Sequence, residues 1–465
     1  MVKAWTAVAG VGVALGAAYA GGTWWAGREV QQALQAQQAR MGQEVPFVKV
    51  AEQRYERGWW SSTRTTTYEF GCLPAGDEGQ PPRPLRLTVL DRIQHGPLAG
   101  GRHLGAAYME SELVLSGQVQ EAASRFFGSA PPLRVQTVVG FDGGYHSRVT
   151  SPAGQIQGEQ GEQLTWQGLQ GEVSANGAGT ELRYEVRMPG LELRAPAAQG
   201  TMKMTGLQVR GDGHRPAEGS WWLMTGRGEG EIASVEFEGM APGGASMKAG
   251  FSQLRFASDT RIEQDLLHST STITGQGRIG DTPLDKLEMQ ASIKRLHAPT
   301  YAKLVSTLMQ GGAGCGEEGP DPAQLLASLE GDLRQLLPHG PEYALDKLAV
   351  EYGGQRGELS YAIAVEGVTA EELELPVPAL LMTKGQLRAD VKLPVTWLQE
   401  LAAQPALRKA GSAPDPQMLN LMLDQFAAQG LLVRDGEHVA SSLRYQQGRL
   451  TLNGKPMQMG GARRP

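Results

Sequence analysis

Glu181-Leu182-Arg183-Tyr184-Glu185-Val186-Arg187-Met188 is the stretch whose reading decides the fold. Leu182, Tyr184, Val186 and Met188 share one face, and Glu181, Arg183, Glu185 and Arg187 share the other. A period of two belongs to a pleated strand with one dry side. The pattern recurs in both directions. Leu85, Leu87, Val89 and Ile93 alternate with Arg86, Thr88 and Arg92, and stop at His95-Gly96-Pro97. Further runs lie at 112–119, 134–141, 235–237 and 293–296. Met202 and Met204 step out of phase to Leu207 and Val209. Leu359, Tyr361, Ile363 and Val365 form a later run, followed by Leu387, Ala389, Val391 and Leu393. Residues 63–70 are Thr-rich, a strong strand former, and follow an apparent hairpin turn at Arg57-Gly58. One apolar and one polar face per strand marks an antiparallel sheet covered on one side. The expected class is mainly β with some α, built on a large twisted antiparallel sheet with helices in the C-terminal half.

Those helices carry their own signals. Asp321-Pro322 is an N-cap followed by proline at the first helical position. Leu325, Leu326, Leu329, Leu333, Leu336 and Leu337 then share a face, and Pro338 ends it. Residues 301–309 and 397–409 read as two more helices. Asp415-Pro416 opens another, with Met418, Leu419, Met422 and Phe426 on one face and Gly430 at its end. Residues 311–320, GGAGCGEEGP, read as a loop. The chain closes on a hairpin, Leu443-Arg444-Tyr445 and Leu450-Thr451-Leu452 around Gln446-Gln447-Gly448, expected to pair back into the sheet.

Composition narrows the classes. The 465 residues are 40% hydrophobic and 20% charged, enough for a packed core and too apolar for global disorder. The 62 glycines and 27 prolines sit between strand-like runs, as the turns of a many-stranded protein require. The net charge of -6, with no basic run longer than Lys294-Arg295, argues against a nucleic-acid partner. Cys72 and Cys315 are too few for a structural zinc site. They either pair in an oxidising compartment or stand as separate thiols.

The N-terminus differs from everything after it. Residues 4–27, AWTAVAGVGVALGAAYAGGTWWAG, contain no charge; Lys3 precedes them and Arg28 follows. Trp5 to Trp24 is 19 steps, about 28 Å as a helix, against a bilayer core of about 30 Å. Trp5 at one end, with Tyr19, Trp24 and Trp25 at the other, suits two interfacial belts. The expectation is one N-terminal transmembrane helix, so the membrane is a partner. A cleaved signal peptide is the competing reading, since Ala18-Tyr19-Ala20 resembles a cleavage site. Gly12 and Gly16 form a GxxxG pair that suits a homodimer seam, though small residues abound there. The expected divisions are an anchor at 1–27, a polar helical extension at 28–45, an antiparallel β region at 46–298, an α+β region at 299–459 and a tail at 460–465.

No catalytic, cofactor-binding or metal-ligating residue is picked out. The eight histidines are scattered and none sits in an HExxH spacing. There is no GxSxG elbow. Residues 275–280, GQGRIG, match GxGxxG, but no helix opens after them, so they read as a strand and turn. Glu317-Glu318 reads as solvated loop. Met202, Met204, Met240 and Met247 read as sheet-core filling.

The candidate interaction residues are Trp59, Trp60 and His95. Adjacent strand residues point to opposite faces, so one indole is expected in the core and one outside. The outer indole suits lipid headgroups or a partner's edge. In the bland reading, which the usual burial of large aromatics favours, neighbours such as the His95-Gly96-Pro97 turn cover both.

Four motifs carry a family resemblance: GGTWWAG at 21–27, YERGWWSS at 55–62, QHGP at 94–97 and LRYQQGRLTLNGKPM at 443–457. In this order they resemble the YdgA-like bacterial proteins, a family of unknown function. The likeness spans the chain, and residues 110–290 match only in strand-like texture. It implies a single-pass inner-membrane protein of a Gram-negative bacterium, with its C-terminal domain in the periplasm, and brings no catalytic residues. The expected function is non-enzymatic: a binding or structural factor in envelope biogenesis or lipid handling, with lipid or an envelope protein as partner. The alternative is a periplasmic hydrolase with an unrecognised site.

Overall fold

The structure is a computed structural model that describes residues 19–36, 38–39, 48–73, 83–115, 131–158, 161–195, 200–216, 220–240, 246–312, 322–403 and 416–457. The chain divides into two compact units, residues 1–230 with 302–328 and residues 231–301 with 329–465.

The first unit opens with helix α1 (residues 19–36). Strands β1 (Val48–Arg57), β2 (Ser61–Leu73) and β3 (Arg83–His95) follow, then the short β4 (Leu98–Ala99) and β5 (His103–Leu104). Next come β6 (Ala107–Val114), β7 (Arg134–Val139), β8 (Tyr145–Ser151), β9 (Gly154–Gln157) and β10 (Gln163–Trp166). The last are β11 (Leu169–Ala175), β12 (Glu181–Ala195) and β13 (Gly200–His214). Each of β1, β2, β3, β6, β7, β8, β11, β12 and β13 pairs antiparallel with the next, and β9 with β10 covers the second half of β12.

The register keeps the two faces apart, as the opening stretch predicts. Tyr184 stands opposite Val173 and Gly211, and Val186 opposite Gly171 and Val209. These apolar side chains are half-buried, while Arg183 and Arg187 are exposed. Opposite charges ladder across the polar face: Arg92 to Glu112 at 2.7 Å, Arg134 to Glu112 at 3.5 Å, Arg148 to Glu172 at 3.0 Å. Pairs this exposed contribute about 0–1 kcal/mol each; they specify register more than they stabilise.

The second unit holds most of β14 (Thr225–Met240), then β15 (Ser246–Glu263), β16 (Leu266–Ile279) and β17 (Thr282–His297). The chain then passes through α2 (Ala298–Gly312) and α3 (Pro322–Leu336), of which residues 302–328 belong to the first unit, before β18 (Glu342–Tyr352) and β19 (Gln355–Val365) of the second. Helix α4 (Val377–Lys384), β20 (Gly385–Pro394), α5 (Val395–Ala403) and α6 (Pro416–Gln429) follow. The unit ends in β21 (Val433–Asp435), β22 (His438–Gln446), β23 (Arg449–Leu452) and β24 (Lys455–Met457). β15 to β20 form an antiparallel meander, which β22, β23 and β24 extend. The C-terminal hairpin therefore pairs back into the sheet, as expected. Phe256, Ile273, Met289, Leu348, Leu359 and Val391 fall in one cross-strand row. At one end, Val395, Leu423 and Val439 bury a cluster with Leu393, Leu398, Leu419 and Leu432.

Several expectations need correction. Helix α4 was not expected, because VPALLMTK is too short and too evenly apolar to show a helical stripe. The run at 134–141 stops being a strand at Val139, because residues 140–144 form the β7–β8 turn. Met240 and Met247 are 43% and 39% exposed rather than core filling, since both lie at strand ends. Residues 275–280 are strand and turn, as read. Gly12, Gly16, Cys315, Glu317, Glu318 and residues 404–415 and 460–465 lie outside the described residues, as does the side chain of Cys72. Among the described residues, no helix is long and apolar enough to cross a membrane.

Candidate functional site

Helix α1 runs without a break through the expected division at 27/28. Its buried residues are Thr23, Ala26, Gly27 and Val30, spaced as one helical face requires. Val30 packs with Ile93 and Ala107, joined by Leu34, Tyr55, Ala106, Met109 and Val139. Helix α1 thus seats on β1, β3 and β6. Gly27 makes the close approach possible, because a Cβ there would stand 2.5 Å from the His95 ring.

His95 ends β3 and is 2% exposed. Its Nδ1 lies 3.2 Å from the Trp59 carbonyl oxygen, and its Nε2 lies 2.8 Å from Ser62 Oγ. A carbonyl can only accept, so Nδ1 carries the proton and Nε2 accepts from the Ser62 hydroxyl. Burial pushes the His95 pKa below its ordinary value; the Trp59 carbonyl opposes this and the Arg57 charge adds to it. The His95 amide also donates to the Trp60 carbonyl at 2.9 Å, and the Gly96 amide to the Ala106 carbonyl at 2.7 Å.

Trp59 and Trp60 depart from expectation: both indoles are outside, 55% and 53% exposed. The expected alternation fails because they lie in the turn between β1 and β2, beyond the pleat. The Gly58 amide closes that turn on the Ser61 carbonyl at 2.8 Å. One face of Trp60 stacks on Tyr19, with ring centroids 5.9 Å apart. Arg57 sits 5.0 Å from the Trp24 ring and donates to the Trp24 carbonyl at 2.9 Å. Tyr19 Oη donates to the Leu98 carbonyl at 3.2 Å.

The meander turns at this same end between β3 and β6 and between β7 and β8. Those turns add exposed Leu98, Leu104 and Phe141 to the exposed Trp24, Trp25, Trp59 and Trp60. The result is an apolar, mainly aromatic rim around the N-terminal end of α1. The sequence gives no local sign of it, because its parts come from four separate segments.

Ser62 and His95 have the spacing of a nucleophile and base with a carbonyl as third partner. Yet Ser62 is only 3% exposed, and α1 lies across His95, leaving no place for a substrate. A concavity of about 640 Å³ on the second unit has its cations paired, Lys392 with Asp435 at 2.8 Å and Arg434 with Asp424. Its Asp390 pairs with Arg444 at 2.8 Å. His297 and His339 stack in parallel 4.1 Å apart, but His297 Nδ1 is engaged with Thr300 Oγ1 at 2.7 Å. Among the described residues, no three His, Cys, Asp or Glu side chains come together as a metal site would need.

Three of the four resemblance motifs meet at the rim: GGTWWAG in α1, YERGWWSS across β1 and β2, and QHGP after β3. The fourth forms β22 to β24 in the second unit. No curated protein and no solved structure matches the chain. A family model described as a bacterial protein of unknown function, DUF945, matches residues 1–459. The chain belongs to this family.

Proposed function

We propose that the chain is a single-pass inner-membrane protein of a Gram-negative bacterium, of the YdgA-like kind, with its C-terminal domain in the periplasm. There it acts without catalysis, as a binding or structural factor in envelope biogenesis or lipid handling. The observation that carries this reading is the exposed rim of Trp24, Trp25, Trp59, Trp60, Leu98, Leu104 and Phe141. Monomeric soluble proteins rarely leave aromatics clustered in water, and tryptophan favours the bilayer interface. The rim lies at the end of α1 that holds the last residues of the uncharged run 4–27. Lipid handling draws support from the half-buried apolar face of β12, where Leu182, Tyr184, Val186 and Met188 line up.

Fractionation of cells with protease treatment of spheroplasts tests the placement. The chain is expected in the inner membrane after a high-salt wash, and cleaved in spheroplasts but not in intact cells. Recovery in the soluble fraction, or protection in spheroplasts, would overturn it.

A further inference from the structure

We propose that the hairpin Leu98–Leu104 is a second membrane contact that enters the phospholipid interface beside the anchor. The inference rests on the membrane reading above. It begins with the uncharged run, which continues unbroken from Ala4 to Gly27. A bilayer core of about 30 Å takes about 20 residues of helix. Counted from Ala4, such a span ends at Thr23, which brings Tyr19 to Thr23 to membrane depth.

The opening turns of α1 do not travel alone. Tyr19 donates to the Leu98 carbonyl and stacks on Trp60, and Gly22 lies against Pro97. Whatever depth Tyr19 reaches, Leu98 and Trp60 reach with it.

The hairpin is built for that position. Leu98 pairs across from Leu104 and Ala99 from His103, with Gly100, Gly101 and Arg102 forming the turn. Leu104 is 75% exposed and Leu98 42%, so the cross-strand pair presents two leucines to the outside. Leu104 is the most exposed large apolar side chain among the described residues. In water such a pair leaves apolar surface unburied. In the interface that surface is buried, while the exposed Arg102 beside it keeps its charge among the headgroups. His103 lies along the Tyr108 ring, centroids 4.2 Å apart, which holds the inner edge of the hairpin on β6.

The test places a fluorescent nitrobenzoxadiazole label at Leu104→Cys in the full chain carrying Cys72→Ser and Cys315→Ser. The protein is reconstituted in phosphatidylethanolamine and phosphatidylglycerol vesicles. A control label sits at Gln157→Cys, exposed at the opposite end of the first unit's strands. Lipid-borne nitroxides are expected to quench the label at 104 several-fold more than the label at 157. Equal quenching, with the chain retained in the vesicles after a salt wash, overturns the hairpin contact and leaves the membrane reading standing. Loss of the chain from the vesicles overturns both. A benzophenone side chain at position 104, in a chain with its native cysteines, repeats the test without cysteine replacement. A lipid adduct is expected on illumination; a protein adduct or none contradicts the proposal.

Discussion

Each unit has a helix seated against a sheet through a glycine, and the two seats are finished differently. In the first unit, α1 lays Gly27 on the ring of His95. In the second, α5 lays the Trp397 ring on Gly357 so closely that a Cβ at Gly357 would clash. Trp397 also meets Tyr352, centroids 6.0 Å apart, beside the buried cluster of Val395, Leu423 and Val439. There the large aromatic is half-buried and does the packing. Around Gly27 the buried side chains are small or polar, Thr23, Ala26, Ser62 and His95, with the aliphatic contact of Val30 on Ile93 further along α1, and the indoles face outward. A seat that needs only packing puts its indole inward, as in the second unit. One that leaves four indoles in solvent is what the proposed lipid contact would use.

The contrast can be broken by substitution. Trp397→Ala removes the ring over Gly357 and is expected to cost about 3 kcal/mol in denaturant unfolding. A cost under about 1 kcal/mol would mean the second seat is not held by its indole. Gly27→Val forces a side chain against His95 and is expected to cost about 1–3 kcal/mol, overpacking outweighing the gain in helix propensity. Unchanged stability would show that α1 is not seated as described.

Acid sharpens the comparison, because the first seat has a buried histidine in its contact. Burial holds the pKa of His95 below its ordinary 6.5. The unfolded chain takes up that proton near 6.5, while the folded chain resists it. The resulting stability is present above that pH and is lost as the pH falls through the window beneath it. Urea midpoints between about pH 7.5 and 5 should therefore fall more steeply for the native chain than for His95→Asn. Parallel pH profiles would contradict the buried neutral ring. The smallest effect belongs to the rim: Trp59→Ala and Trp60→Ala should each change unfolding stability by about 0.5 kcal/mol or less, as exposed positions do. A loss of several kcal/mol would return these indoles to the core.

What could be read in advance follows from the range of the forces involved. Period-two runs such as 181–188 and 359–365 are local, and the sheet they imply is present in register. The proline-started helix α3 was also legible, because caps and leucine spacing lie within a few residues of each other. The placement of Trp59 and Trp60 was not. Their alternation depends on where β1 stops, and Gly58 draws both into the turn. The seating of residues 19–27 on the sheet was hidden for another reason: hydropathy sees an uncharged run, but the contact that seats it, Gly27 on His95, spans 68 positions of chain. His95 was picked out as a candidate, yet its partner Ser62 had no signal beyond belonging to YERGWWSS. The rim's other members, Leu98, Leu104 and Phe141, lie in turns whose shared end emerges only from the strand order.

Indole quenching in the full chain, reconstituted in brominated phosphatidylcholine vesicles, tests the central claim that the rim faces lipid. Replacing Trp59 and Trp60 together by Phe is expected to lower the quenched fraction of tryptophan emission, because lipid-facing indoles are lost. Replacing Trp397 by Phe is expected to raise it, because a shielded indole is lost. The opposite pattern, with quenching carried by Trp397 and indifferent to Trp59 and Trp60, would contradict the account.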